Sequence, residues 1–376
     1  MAKKVLAVQK YIREYGLEKF LKEFKIKARI YDKKVLLKYD QIESQMGLDE
    51  VQGCRGLILE KDTWNVLCLS FEKFFNNAET HAAKINWDTA HVLNKEDGTM
   101  IQVYWDWHKE TWFAATTGTA EGEGEVNNKY GTTFNELFWD TVISKYSFNT
   151  CLLDKNHVYV FELTTPYNIV VTPHGESSAT LLAVRNRLTL KEIPYSELPM
   201  VSVSLGIPLV KSYDLNAKNA GTLIKTFENM PWSEEGYVVR DADDNRVKIK
   251  NPAYLAVHHL KGKTAEHNIM VIVKTNEIEE FISTFPDRKD ELLKLKDGYD
   301  ELVGKLESVW SELETRKPKN ISSDQRKKYA MSVKEVTTKY NIGQFAGLFF
   351  GLVDGKIPSV KEYMLNYDDK SLYKML

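Results

Sequence analysis

The segment Lys95-Glu96-Asp97-Gly98 contains a lysine whose amine could act as a nucleophile. Apolar residues 92–93 precede it and alternating residues 101–106 follow it, so the pattern predicts a short strand, a turn at Asp97-Gly98 and a half-buried strand. We expect Lys95 at the mouth of this hairpin, because a lysine nucleophile needs a fixed and partly dry position. The tetrapeptide alone favours a solvated hairpin lysine.

A second pattern, Val247-Lys248-Ile249-Lys250, contains two lysines at strand spacing. Strand alternation sends Lys248 and Lys250 to one face and Ile249 to the core. Two like charges side by side repel each other, so they favour an anion between them, and a triphosphate is such an anion. A charged surface strand would also produce this pattern.

One carboxylate occurs in an unfavourable context. Val158, Val160 and Glu162 share one face of a predicted apolar strand. A carboxylate in such a strand is costly unless it is paired or bound. Glu162 is therefore either part of a buried ion pair or part of a binding site.

Taken in order, these segments resemble the bacteriophage RNA ligase 1 family, the tRNA-repair ligases of T-even phages. That family belongs to the covalent nucleotidyltransferases. The resemblance rests on short motifs along the chain and on a C-terminal run: Cys54-Arg55-Gly56, Glu72-Lys73-Phe74-Phe75-Asn76, Lys95-Glu96-Asp97-Gly98, Phe161-Glu162-Leu163, Glu235-Gly236-Tyr237, Val247-Lys248-Ile249-Lys250 and residues 344–350.

The resemblance implies an ATP-dependent RNA ligase that uses Mg²⁺ or Mn²⁺. Lys95 would form lysyl-AMP, and Glu235 would hold the metal ion. AMP would pass to an RNA 5′-phosphate, which a 3′-hydroxyl then attacks, and the expected substrate is a cleaved tRNA. The residues expected to bind ATP are Tyr39, Arg55, Lys73, Glu162, Lys248 and Lys250. Further family positions are Glu60, Gly98, Gly236 and Tyr254. Thr117 stands where the family often has a basic residue, so one phosphate contact is in doubt.

The elements that must position these residues indicate an α+β fold. We expect a mostly antiparallel-sheet nucleotidyltransferase domain over residues 1–255, followed by an all-helical domain over residues 256–376. In the second part, apolar residues recur at alternating spacings of three and four, which predicts a long amphipathic helix. The predicted seam consists of Leu292, Leu295, Tyr299, Leu302, Leu306, Val309 and Leu313.

The composition limits the classes of protein to which this chain can belong. The chain has 376 residues and a formal net charge of −2, so any nucleic-acid site must be a local cationic patch. Three cysteines without metal-ligand spacing favour a reducing compartment. With no signal peptide and no membrane-spanning run, we expect a cytoplasmic protein, in the host cytoplasm if the source is a phage. A monomer is a separate expectation. Its partners would be single-stranded RNA or tRNA ends.

Two alternatives remain open at this stage. Another superfamily member, a DNA ligase or a GTP-using capping enzyme, usually carries an OB-fold after the last motif, whereas helices are predicted here. The other alternative is a non-catalytic RNA-binding protein on the same fold. Labelling the protein with ATP or GTP would separate these possibilities.

Overall fold

A computed structural model describes residues 4–127, 129–168, 171–255, 265–275, 277–284, 288–317 and 323–376. The chain forms two compact units, residues 1–258 and 259–376. The first unit mixes antiparallel sheets with helices, and the described part of the second is helical, so the predicted α+β class is confirmed. The expected boundary after residue 255 borders residues 256–264, which lie outside the described residues.

The described part of the first unit includes these α-helices and strands: α1 Ala7–Tyr15, α2 Leu17–Phe24, β1 Ile26–Ile30, β2 Lys34–Tyr39, α3 Asp49–Gln52, β3 Arg55–Glu60, β4 Val66–Cys68, β5 Phe75–Asn76, β6 His91–Asn94, β7 Thr99–Asp106, β8 Thr111–Ala115, α4 Phe134–Tyr146, β9 His157–Thr164, β10 Ser178–Asn186, α5 Leu198–Leu205, β11 Ser212–Tyr213, α6 Ala220–Ile224, β12 Gly236–Arg240 and β13 Arg246–Lys250.

These strands form three sheets. The first has the antiparallel order β1-β2-β3-β4, and α1 and α2 cover one of its faces. The second has the antiparallel order β10-β9-β7-β8, with α4 and α5 packed on one face. The third has the order β11-β6-β12-β13-β5, in which only the β13–β5 pair is parallel.

Strand β7 is buried on both faces, so the expected half-buried strand is wrong. Its apolar side packs under α4, and its other side packs against the first sheet. The polar residues on that side are tolerated because each has a partner. Gln102 bonds the backbone of Ser70 and Gly56, and the Tyr104 hydroxyl donates to the Ala120 carbonyl at 3.0 Å.

The expected hairpin around Lys95 is also wrong. Strand β6 pairs with β11 and β12 in the third sheet, whereas β7 pairs with β8 and β9 in the second. The turn at Asp97-Gly98 therefore carries the chain from one sheet to the other. Tertiary contacts to Asp97 hold this crossing, and local turn propensity does not reveal them. As a result, Lys95 lies at the junction of two sheets.

The second unit contains seven α-helices in its described part: α7 Ala265–Lys274, α8 Ile278–Thr284, α9 Lys289–Glu314, α10 Ser323–Lys339, α11 Ala346–Val353, α12 Val360–Leu365 and α13 Asp369–Met375. Helix α9 confirms the predicted long amphipathic helix, although Val303 is the buried residue where Leu302 was expected. None of the described helices combines the length and the apolarity needed to cross a bilayer.

Candidate active site

Lys95 follows β6 directly and is held by both its backbone and its side chain. Its N–H donates to the Gly236 carbonyl at 3.0 Å, which ties it to the start of β12. Its Nζ lies 2.5 Å from Glu235 Oε1, and Lys250 Nζ lies 3.7 Å from the same oxygen. The Lys95 side chain is 21% exposed, whereas that of Glu235 is 7% exposed. The ammonium group is therefore fixed in place and still reachable by a ligand.

Glu162 is the second carboxylate at this position. Strand β9 pairs with β7 so that Glu162 stands opposite Met100, and Glu162 Oε1 accepts a hydrogen bond from the Gly98 N–H at 3.2 Å. Burial raises the pKa of Glu162 to about 8; the nearby charge of Glu235 also raises it, and the charges of Lys95 and Arg55 oppose the shift. At neutral pH the free protein therefore holds this group mainly protonated, and an added cation would favour its ionisation.

Asp97 organises the site, although its pattern indicated only a turn. Its Oδ2 accepts hydrogen bonds from the Val171 and Thr172 N–H groups at 3.1 and 2.7 Å. Its Oδ1 accepts from the Tyr254 hydroxyl at 2.9 Å, and its carbonyl oxygen lies 2.9 Å from His174 Nε2. Asp97 thus links the Lys95 segment to residues 171–174 and to Tyr254. A carboxylate before a glycine was the available signal, but its partners lie far away in sequence.

Two glycines allow close backbone approach at the site. At Gly98 a Cβ would lie 2.5 Å from the Leu163 carbonyl oxygen, so a side chain would push β7 from β9. Gly236 has φ of +127°, and a Cβ there would lie 2.3 Å from the Ile249 carbonyl oxygen. Only glycine fits both constraints. The family positions Gly98 and Gly236 therefore have a steric reason in this fold.

Strand β13 has the predicted alternation. Val247 and Ile249 are buried in the core under the third sheet, whereas Lys248 and Lys250 are partly exposed on its other face. Lys250 shares the Glu235 carboxylate with Lys95, so that face is the face of the candidate site. The predicted orientation of Lys248, Ile249 and Lys250 is confirmed. Phosphate binding by the two lysines stays a prediction.

Arg55, Tyr39 and Lys73 form a cationic and aromatic wall. The guanidinium carbon of Arg55 lies 5.0 Å from the Phe74 ring centroid, and one of its terminal nitrogens is buried without a hydrogen-bond partner among the described residues. Burial lowers the pKa of Arg55, while Tyr39 and Glu162 act against that shift. Lys73 Nζ lies 5.4 Å from the Tyr39 ring centroid. This wall can donate hydrogen bonds to an anion.

Three of the positions named from the sequence do not belong to the Lys95 contacts described above. Glu60 is at the far end of β3 from Arg55 and contacts Thr63 and His108, so the described contacts do not bring it to Lys95. Tyr254 is buried, and its hydroxyl donates a hydrogen bond to Asp97. The Thr117 backbone packs beside Gly56, which follows Arg55 in the chain. A Cβ added at Gly56 would lie 2.7 Å from the Thr117 Cα.

The carboxylates suit a divalent cation that arrives with phosphates. Among the residues that the structure describes, no three His, Cys, Asp or Glu side chains gather into a metal cage. Mg²⁺ is usually held by one or two carboxylates together with substrate phosphates. Glu162 and Glu235 can supply such a pair of ligands, although Glu235 contacts Lys95 and Lys250 in the ligand-free structure.

This chain is similar to several known RNA ligases. An RNA ligase from Rhodothermus phage RM378 is 27% identical over 388 aligned positions, covering 85% of this chain and 86% of that protein. Among solved structures, two forms of an archaeal ATP-dependent RNA ligase are similar to this chain at 13% and 12% identity. Their TM-scores are 0.44 and 0.46, over 88% of this chain and 79% of theirs.

The match to a family model identifies the family of this chain. A family model described as RNA ligase matches residues 53–254, which is more than half of the chain and includes every expected site residue except Tyr39. The resemblance to the phage RNA ligase 1 family is thereby confirmed. The chain belongs to this RNA ligase family and is an RNA ligase.

Proposed function

We propose that this RNA ligase uses ATP and joins a 5′-phosphate RNA end to a 3′-hydroxyl end through lysyl-AMP. The supporting observation is the contact of Lys95 with Glu235 on the face that also holds Lys248 and Lys250. A lysine held in place beside other cations can attack a phosphoryl group whose negative charge those cations bind.

The first step is attack on ATP. Lys95 Nζ loses a proton and leaves its contact with Glu235, then forms a bond to the α-phosphorus. The bond from that phosphorus to the pyrophosphate oxygen breaks, and the product is lysyl-AMP. Lys248, Lys250 and Arg55 are the groups proposed to stabilise the charge on the phosphoryl oxygens and on the departing pyrophosphate.

Two transfers follow. An oxygen of the RNA 5′-phosphate attacks the AMP phosphorus, the phosphorus–nitrogen bond breaks, and the Lys95 amine regains a proton. The 3′-hydroxyl of the second RNA end then attacks the adenylylated 5′-phosphate, forming the phosphodiester and releasing AMP. Glu235, with Glu162, would hold Mg²⁺ or Mn²⁺ against the phosphates, and the ion would supply neutralisation of phosphoryl charge.

We also propose that the natural substrate is a cleaved tRNA and that the enzyme acts as a monomer in the cytoplasm. The resemblance to the tRNA-repair ligases of T-even phages supports the substrate. The motif residues of the nucleotide site all lie in the first unit, so the second unit is available for RNA selection.

Nucleotide labelling tests the proposed function. The protein is incubated with α-labelled ATP or α-labelled GTP and a divalent cation, then run on a denaturing gel. Label from ATP at 43.4 kDa is the expected result. Label from GTP alone would indicate capping chemistry, and absence of label with either nucleotide would favour a non-catalytic RNA-binding protein. Sealing assays on RNA and DNA with matched ends then distinguish an RNA ligase from a DNA ligase.

A further inference from the structure

A cavity of about 720 Å³ lies in the first unit next to the cationic and aromatic wall. Its lining includes Lys73 from the wall, Phe74 beside Arg55, Arg246 at the start of β13, and Thr189 and Lys191 after β10. Lys95 and Glu235 do not line it. The cavity is therefore separate from the proposed nucleophile, although it begins at residues expected to bind ATP.

Strand β13 connects the cavity with the candidate active site. Arg246, Lys248 and Lys250 alternate with buried Val247 and Ile249, so they share one face. At about 3.3 Å per residue, neighbouring members of this row are roughly 6.6 Å apart along the strand. That spacing is close to the distance between successive phosphates of an extended RNA strand. The row of three cations leads from Lys95 to the cavity.

The pairing of the lining charges identifies which cations can take an anion. Arg246 donates two hydrogen bonds of 2.5 Å to Glu192, and Arg185 Nη2 lies 3.6 Å from Glu72 Oε1. Within the described part of the chain, Lys73 and Lys191 have no carboxylate partner at ion-pair distance. Lys73 instead lies 4.8 Å from the Phe75 ring centroid.

The cavity therefore combines aromatic rings with two ammonium groups that have no carboxylate partner among the described residues. Its lining also contains the carboxylates of Glu72, Glu192, Asp243 and Asp244. Ammonium groups bind phosphates, and aromatic rings stack on unpaired bases. Its volume lies in the range of pockets that hold small ligands, which is about 300–1,000 Å³. These properties match the end of a single RNA strand better than an apolar ligand.

We propose that this cavity receives the 5′-terminal nucleotides of the RNA strand that accepts AMP. This inference rests on the proposed function, because only a strand whose 5′-phosphate reaches lysyl-AMP would follow the row from Lys250 to Arg246. The terminal phosphate lies near Lys248 and Lys250 after pyrophosphate has left. The following phosphates lie near Lys73 and Lys191, and the first bases lie against the aromatic rings.

Lys191→Ala tests the proposal in the full-length enzyme, with Lys22→Ala on exposed α2 as the matched control. The first readout is the rate of lysyl-AMP formation by intact mass. The second is AMP transfer from purified lysyl-AMP enzyme to a 5′-phosphorylated oligoribonucleotide, measured against RNA concentration and salt. For Lys191→Ala we expect unchanged lysyl-AMP formation and a 5- to 10-fold higher RNA concentration at half-maximal rate.

The salt dependence supplies an independent readout. Loss of one phosphate contact to a single strand lowers the slope of log affinity against log salt by about 0.7. Thr189→Phe should weaken RNA use without a charge change, because the larger side chain fills the cavity. Thermal melting checks the folding of both variants. If Thr189→Phe does not fold, the result for Lys191→Ala alone tests the cavity proposal.

The other possible outcomes would overturn either the cavity proposal or the proposed function. Unchanged RNA dependence and salt slope in folded Lys191→Ala would overturn the cavity proposal. Slower lysyl-AMP formation in that variant would also overturn it, because the cavity would then serve the phosphates of ATP. If the wild-type enzyme forms no lysyl-AMP, the proposed function fails, and this result is distinct from a failure of the cavity proposal.

Discussion

At the scale of single residues, the site is a balance of buried charge. The Lys95 ammonium contacts the Glu235 carboxylate, and Glu162 lies close enough for both charges to act on it. A buried charge is tolerated only when it is paired, so Lys95 and Glu235 depend on each other, whereas Glu162 is held mainly protonated. An incoming nucleotide would bring negative charge and a cation, which would change the electrostatic environment of all three groups.

The first prediction at this scale concerns Lys95. Lys95→Ala should abolish attachment of AMP because the nucleophilic amine is removed. The variant should still seal RNA with a pre-adenylylated 5′ end, since that substrate bypasses the first step. Intact-mass measurement after incubation with ATP checks the first result, and a sealing gel checks the second. AMP on the variant would mean that another residue is the nucleophile.

The second prediction concerns the pH dependence of stability. The pKa of Glu162 is raised from its ordinary value of 4.5 to about 8, so between these values the folded protein holds a proton that the unfolded chain has lost. This contribution to the free energy of unfolding is present at low pH and is lost as pH rises towards 8. Glu162→Gln should remove it.

Denaturant unfolding of the nucleotide-free protein at pH 5, 6.5 and 8 measures the effect. The stability of the wild type relative to Glu162→Gln should fall as pH increases. The exposed Glu18→Gln change on α2 is the control and should leave the pH profile unaltered. A constant difference between wild type and Glu162→Gln across this range would contradict the raised pKa.

At the scale of elements, three neighbouring strands of the third sheet meet at the nucleophile. The end of β6 carries Lys95, the start of β12 follows Glu235, and β13 carries the lysine pair. The antiparallel pairing of β12 with β13 places Gly236 opposite Lys250, which brings Glu235 beside the last lysine. Charges from separate segments are thereby held on one rigid face.

The prediction for this face concerns Lys248 and Lys250. Each Lys→Ala change should slow lysyl-AMP formation about a hundredfold or more, because each removes a preorganised cation from a phosphoryl-transfer site. Lys→Arg should rescue incompletely, since a planar guanidinium differs in geometry from an ammonium. Single-turnover rates with ATP measure both effects, with the exposed Lys10→Ala as control. Near-normal rates in both alanine variants would make β13 a charged surface strand.

At the scale of the whole molecule, the chain separates nucleotide chemistry from a helical unit with its own core. Buried residues of α7–α13 form one hydrophobic cluster, and the clusters of the first unit contain none of them. Units with separate cores can in principle fold independently. A division of labour between AMP transfer and RNA selection is therefore testable by truncation.

A protein ending near residue 263, a position outside the described residues, should retain the first unit. It should form lysyl-AMP and join short single-stranded RNA, but its preference for nicked tRNA over an unstructured oligonucleotide should fall. The measurement is the ratio of the two sealing rates, full-length against truncated, at one salt concentration. An unchanged ratio would show that the helical unit does not select RNA. Loss of lysyl-AMP in a folded truncated protein would show that the helices complete the nucleotide site.

The sequence by itself determined the types of the site residues, the α+β class and the long seam of α9. These features follow from local periodicity and from motif order, as with the alternation of Lys248, Ile249 and Lys250. The tertiary structure decided that β6 and β7 enter different sheets, that β7 is buried on both faces, and that Glu60 lies away from Lys95. It also decided that Asp97 joins Tyr254, 157 residues later. The physical reason is that such contacts arise when distant segments pack together, and no local pattern of residues encodes which partner a buried carboxylate will find.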